Sequence, residues 1–169
     1  HVLGNHDQWS IDFYDGKMDR RFSGDYSSWI YQGGQATVDS YPEGKMPAEH
    51  LEFLKDAVHY CEIAENEGDA PTKIITHGGF AYHRPVAEQN TSMFCWNREL
   101  ITLAFTKRSE GVNLSKVYDE IYVGHTPTMS FDMLYTEPVN WSCVWNIDTS
   151  AAYSVKLSII DINTKEFFQ

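Results

Sequence analysis

The sequence predicts a mixed α/β fold, a sheet or sandwich with helices on its outside. Two apolar runs that suit strands end at glycine-rich turns, residues 73–76 before His77-Gly78-Gly79 and residues 117–123 before Gly124-His125. Between them, residues 95–107 carry a helical pattern. Toward the C-terminus the patterns are mostly those of strands, separated by turn residues.

Each element has its own signal. Val2-Leu3 reads as the end of a strand running into a turn at Gly4. Residues 8–46 are polar, aromatic and glycine-rich without a sustained period, which predicts irregular structure with short helices, one over residues 35–40. Pro47 suits a first helical turn, and Leu51, Phe53 and Leu54 give that helix one apolar face as far as Asp56. Residues 57–64 alternate loosely, as a strand does, and Asn66-Glu67-Gly68-Asp69-Ala70-Pro71 is a turn. In 95–107, Leu100, Ile101, Leu103, Ala104 and Phe105 form the side to be buried. Residues 143–147 and 153–160 read as strands joined by Asp148-Thr149-Ser150, and 164–168 completes a hairpin after a turn at 161–163. No internal repeat or interdomain linker stands out, so residues 1–169 are expected to form a single domain.

Composition narrows the function. A chain of 169 residues can bury a core. With 13 Lys and Arg against 24 Asp and Glu, the net charge of −11 disfavours nucleic acid and anionic membranes as partners. It does not exclude a phosphorylated substrate, because bound cations reverse the sign locally. Cys61, Cys95 and Cys143 are scattered and odd in number, a pattern of reduced thiols in a cytoplasmic setting. No apolar run reaches the ~18 residues of a membrane-spanning helix.

Three strand-like segments end in a histidine beside glycine: Leu3-Gly4-Asn5-His6-Asp7, Ile75-Thr76-His77-Gly78-Gly79 and Val123-Gly124-His125-Thr126. Function in open α/β sheets collects beyond the carboxyl ends of strands. Imidazoles with carboxylate and amide oxygens suit zinc, manganese or iron. Single histidines often cap loops by hydrogen bonding; three at equivalent strand ends fit a shared metal site better.

Gly4-Asn5-His6-Asp7, His77-Gly78-Gly79 and Gly124-His125-Thr126-Pro127 resemble the third, fourth and fifth motifs of the calcineurin-like metallophosphoesterases. Cys95-Trp96-Asn97-Arg98-Glu99-Leu100 is similar to the Trp-x-Arg-Glu stretch of the phage and bacterial serine/threonine phosphatase branch. Asn146-Ile147-Asp148-Thr149-Ser150 with Lys156-Leu157-Ser158 resembles that branch's closing Asp-Thr-Gly segment and strand. The resemblance spans the chain, and it implies a four-layer α-β-β-α metallophosphatase sandwich that hydrolyses phosphate monoesters. The implied partner is a phosphorylated protein or a small phosphomonoester. The implied cofactors are two divalent ions, manganese favoured over iron or zinc, which clamp the phosphoryl oxygens during in-line attack.

By the same resemblance, Asn5, His77 and His125 are metal ligands, and His6 protonates the leaving-group oxygen. Asp7 stands at an acidic position of the family, where it would orient an imidazole or a donor. Arg98 binds phosphate oxygens, a task that suits a planar fork of donors; its bland alternative is a solvent-facing helix residue paired to an acid. Asp148 and Thr149 are expected to brace the site by hydrogen bonds.

The pattern also departs from the family. The Asp-x-His and Gly-Asp-x-x-Asp-Arg-Gly motifs, which hold the first metal, do not occur. Asp12, Asp15, Asp19, His50 and His59 do not replace them, and Asp56 and His59 read as a surface acid and a satisfied histidine at a helix–strand junction. The chain is therefore expected to be the C-terminal portion of a longer enzyme, inactive or nearly so by itself. Ser150 stands where the family has glycine, and no second histidine follows His125. Two other functions are compatible with the motifs. One is a phosphodiesterase or dinucleoside polyphosphate hydrolase, with Tyr26, Trp29, Tyr31 and Tyr82 around a nucleotide. The other is a non-catalytic phosphate-binding or interaction module.

Overall fold

The computed structural model describes residues 1–18 and 24–169, so Asp19 lies outside the described residues. It shows a mixed α/β fold with several helices and two β-sheets, arranged in two compact units that meet in sequence at Val58 and His59.

The first unit is helical. Helix α1 spans Asn5–Tyr14, α2 Gly24–Trp29, α3 Gln35–Asp39 and α4 Ala48–Lys55. The expected helices at 35–40 and after Pro47 are present, whereas α1 replaces the expected loop at Asn5-His6-Asp7. Val2-Leu3 contributes no more than a bridge, in which Leu3 N–H donates to Val58 O and Val58 N–H to His1 O. Trp9, Phe13, Met18 and Trp29 form the unit's core, with Tyr26 packed against them. Gly34 is required there: a Cβ would lie 2.4 Å from the fully buried Trp29 ring. Asp15 links α1 to α4 through Lys55 at 2.8 Å, and its pKa is lowered by hydrogen bonds from Lys55 and then Lys17.

The second unit holds both sheets. Strands β1 (Tyr60–Ile63), β2 (Lys73–Thr76), β3 (Glu120–Val123), β4 (Val139–Trp141) and β5 (Val144–Asn146) form one sheet in the order β1-β2-β3-β5-β4. The central strands β2, β3 and β5 run parallel, while β1 and β4 are antiparallel edges. Central parallel strands bury both faces, which is why Ile74, Ile121, Val123 and Val144 are all inaccessible. Strands β6 (Ile159–Ile160) and β7 (Phe167–Phe168) form the expected C-terminal hairpin as a second, two-stranded sheet.

Three expectations are corrected in this unit. The single helix over 95–107 is split into α5 (Met93–Trp96) and α6 (Glu99–Thr106), because Asn97 is extended at ψ 128°. The strand over 153–160 is reduced to β6. Ser150 and Ser154 both take left-handed backbone, at φ 70° and 59°, and enclose a single helical turn over Ala151–Tyr153. His59 falls at the junction before β1, but its enclosed Nδ1 has no hydrogen-bond partner among the described residues, so it is not the satisfied histidine expected. Among those residues, no helix is long and apolar enough to cross a membrane.

Candidate functional site

Because β2, β3 and β5 are adjacent and parallel, their carboxyl ends lie along one edge of the sheet. His77 follows β2 by one residue, His125 follows β3 by two, and Asp148 follows β5 by two. Main-chain bonds fasten these ends together. Gly124 N–H donates to His77 O at 2.8 Å, and Thr128 N–H donates to Asp148 O at 2.8 Å. The buried Asn146 amide donates to Thr126 O at 2.8 Å, while its Oδ1 accepts from Asp148 N–H at 3.1 Å.

The result is a pair of imidazoles. The rings of His77 and His125 have centroids 5.0 Å apart at 57°, and Trp96 stands edge-on to His125 at 6.2 Å. His125 is buried on a left-handed backbone at φ 63°, a conformation uncommon outside glycine that collects at functional sites. Rings at this separation can direct one nitrogen each at a single cation at ~2.0–2.1 Å. Their donor chemistry suits zinc, manganese or iron. Among the described residues, no group of three or more His, Cys, Asp or Glu side chains is placed to hold an ion. Two imidazoles completed by an amide oxygen would not make such a group.

Asp148 and Thr149, which follow β5, are both hydrogen-bonded. Burial pushes the Asp148 carboxyl above its ordinary pKa, opposed by a hydrogen bond from Ser150 N–H at 3.0 Å. Thr149 Oγ1 donates to Lys156 O at 3.0 Å and lies 2.6 Å from Ser158 Oγ.

The Gly78-Gly79 turn positions Arg98. Gly78 N–H donates to Phe94 O and Gly79 N–H to Asn97 O at 2.7 Å, so the turn lies flat against the break between α5 and α6. A Cβ on Gly79 would come 2.5 Å from Asn97 Oδ1 and 2.8 Å from Leu100 Cβ. Asn97 Oδ1 also accepts from Leu100 N–H at 3.3 Å, which starts α6 and leaves Arg98 exposed at its N-cap. Arg98 lines a cavity of about 520 Å³ with Phe80, Tyr82, Leu100 and Leu103, whose wall includes neither His77 nor His125.

Asn5, His6 and Asp7 occupy the first turn of α1 in the helical unit. Asn5 is buried, and His6 stacks edge-to-face on Trp9 at 5.1 Å. Desolvation lowers the His6 pKa against the opposing charge of Asp7. Asp7 Oδ2 accepts from Gly4 N–H at 2.8 Å, so this carboxylate closes the start of the helix. In the nucleotide alternative, Trp29 and Tyr26 are taken up by the helical core, Tyr31 is 92% exposed, and Tyr82 belongs to the sheet unit.

Asn97 and Asn146 are positioning residues that sequence reasoning did not single out. The available signal was an asparagine immediately before Arg98 and another two before Asp148. In comparisons with known proteins, no family model and no curated protein matches the chain. The family resemblance therefore rests on the motifs themselves.

Proposed function

We propose that the chain is the metal-holding, phosphate-binding part of a metallophosphoesterase that hydrolyses phosphate monoesters, of the calcineurin-like kind with a four-layer α-β-β-α sandwich. The observation that carries this reading is the His77–His125 pair, 5.0 Å apart at the carboxyl ends of two neighbouring parallel strands. Divalent cations, manganese in preference to iron or zinc, would supply Lewis acidity at the phosphoryl group and a nucleophile at neutral pH.

The protein's own groups do the rest. His77 and His125 present neutral imidazole nitrogens, and Asn5 contributes an amide oxygen by its place in the motif. Arg98 pairs with the phosphate oxygens through two parallel N–H donors. His6 gives a proton to the departing alkoxide, and Asp7 holds the turn that carries His6 through the Gly4 N–H. The free state of Cys61, Cys95 and Cys143 accords with a cytoplasmic enzyme.

Manganese titration followed by calorimetry, paired with hydrolysis of p-nitrophenyl phosphate by the intact protein, tests the reading. His77→Ala and His125→Ala each weaken manganese binding by at least about tenfold. His6→Ala keeps the metal and slows turnover by roughly 10²–10⁴. Unchanged manganese binding in both ligand variants overturns the metal site. Near-wild-type turnover by His6→Ala with metal bound overturns the acid assignment. A preference for a diester or a dinucleoside polyphosphate would move the reaction to the phosphodiesterase reading.

A further inference from the structure

More than half of the large apolar side chains left exposed among the described residues lie between Met133 and Phe168, in the sheet unit. Met133, Leu134, Tyr153, Leu157, Ile159 and Phe168 are each 67–85% exposed. They belong to one surface. Over Val155-Lys156-Leu157-Ser158-Ile159 apolar and polar residues alternate, and successive side chains of an extended chain point to opposite faces. Ser158 Oγ lies 2.6 Å from Thr149 Oγ1 and accepts from the Gln169 amide at 2.9 Å, which sets Ser158 and Gln169 on the inner face of the hairpin. Leu157 and Ile159 therefore point outward, and Phe168, paired with Ile159 across β6 and β7, joins them. The Gln169 amide also donates to Thr136 O at 2.6 Å, so the strand end abuts the turn over Asp132–Tyr135 that carries Met133 and Leu134. Met133, Tyr153 and Val155 then meet around a cavity of about 290 Å³ with Pro127 and Met129.

The size of this face decides what it can do. At about 150 Å² for a large side chain exposed to this extent, the six present on the order of 900 Å². That exceeds the roughly 300–600 Å² of the largest apolar patch on an ordinary monomer. It matches the ~800 Å² that each partner contributes to a stable interface. A two-stranded sheet such as β6–β7 is also marginal unless its face is packed. No side chain of the face is charged. Lys156 shares the inner face with Ser158 and donates to Gln169 Oε1 at 2.8 Å, while the exposed acids Asp132, Glu137, Asp161 and Glu166 flank the apolar segments in sequence. Apolar surface of this extent is complementary to itself, and the cavity gives it a recess for a protruding side chain, as an isologous contact needs.

We infer that this face closes a symmetric dimer, its occupant being the same face of a second copy of the chain.

Sedimentation equilibrium of the whole chain, without metal or phosphate, tests the dimer independently of the phosphoesterase reading. The expected result is a closed species of twice the chain's mass, with a dissociation constant of about 1 μM or below. Each copy carries a net charge of −11, so added salt screens their repulsion and tightens the association. The double variant Leu157→Lys/Ile159→Lys places unpaired charge in the interface and weakens association at least about a hundredfold. Both positions are exposed in the single chain, so the circular dichroism of the dissociated variant matches wild type. Tyr31→Lys adds the same charge at an exposed aromatic of the helical unit and leaves the dimer intact. A monomer at about 100 μM, a hundredfold above the expected constant, overturns the inference. So does association that grows without a dimer plateau, that weakens with salt, or that survives Leu157→Lys/Ile159→Lys. A chain extended upstream of His1 that stays monomeric under the same conditions also overturns it and assigns the face to the added segment.

Discussion

The main-chain N–H of Gly124 donates to the carbonyl oxygen of His77 at 2.8 Å, so the loops that carry the two imidazoles are joined by backbone before any ligand is considered. Asn146 extends this tie to the third strand end. Its amide spans Thr126 O and Asp148 N–H from a fully buried position.

Asn146→Ala therefore removes both partners from a buried loop junction. The Thr126 carbonyl and the Asp148 N–H each lose a hydrogen bond, and the expected loss is about 2–4 kcal/mol, at one to three per orphaned group with some relaxation. Urea denaturation of the variant measures it. An effect below about 0.5 kcal/mol would mean that the loops are held by the main chain alone.

Gly79→Ala acts at the other end of the site. The added methyl meets Asn97 Oδ1 at 2.5 Å and Leu100 Cβ at 2.8 Å, and neither can retreat without disturbing the start of α6. Overpacking of this kind costs about 1–3 kcal/mol. Because Arg98 directly precedes the helix, the same variant should weaken phosphate binding at the surface, measured by titration with inorganic phosphate. Loss of stability with phosphate affinity unchanged would separate Arg98 from the turn.

The three strands that place His77, His125 and Asp148 were legible because each is a short apolar run ending at a turn residue, the signature of a fully buried parallel strand. Their mutual register was not, since it depends on pairing between segments 47 residues apart for β2 and β3 and 23 apart for β3 and β5. Helix α1 was missed for a local reason. Its N-cap is Gly4, which carries no side chain to announce a cap, and two of the five residues it buries, Asn5 and Ser10, are polar, so the apolar pattern alone does not mark its inner face. The break at Asn97 was invisible because its cause is tertiary: the Gly78 and Gly79 N–H groups take the carbonyls of Phe94 and Asn97.

Ser150 was legible as a departure, a serine where the family that the motifs resemble has glycine, and the structure gives its physical content. Its φ of 70° is left-handed, a conformation that costs a non-glycine residue about 1–2 kcal/mol. Its hydroxyl, enclosed and without a hydrogen-bond partner among the described residues, returns nothing for that cost. Ser150→Gly should stabilise the protein by about 0.5–1 kcal/mol after the greater chain entropy of glycine is subtracted. A rise in the urea midpoint at unchanged slope is the expected result; a fall would show that the hydroxyl contributes a contact.

The acid limit of the sheet unit should depend on Glu120. Desolvation by itself would raise this carboxyl's pKa, but hydrogen bonds from Lys165 at 2.6 Å and from the Tyr122 hydroxyl at 2.7 Å, with the charge of Lys165, bring it below the ordinary value. Lys165 also donates to the Ile162 carbonyl, so the cluster ties the hairpin turn to β3. A depressed folded-state pKa means that the unfolded chain binds the proton more readily, and stability rises with pH across the interval. The contribution is complete above the unfolded glutamate pKa of about 4.3 and is lost as pH falls through the lower folded value. Glu120→Gln should remove this component, so that urea midpoints of wild type and variant differ at pH 6 and converge toward pH 3. A constant difference across that range would show that the carboxylate contributes through packing rather than charge.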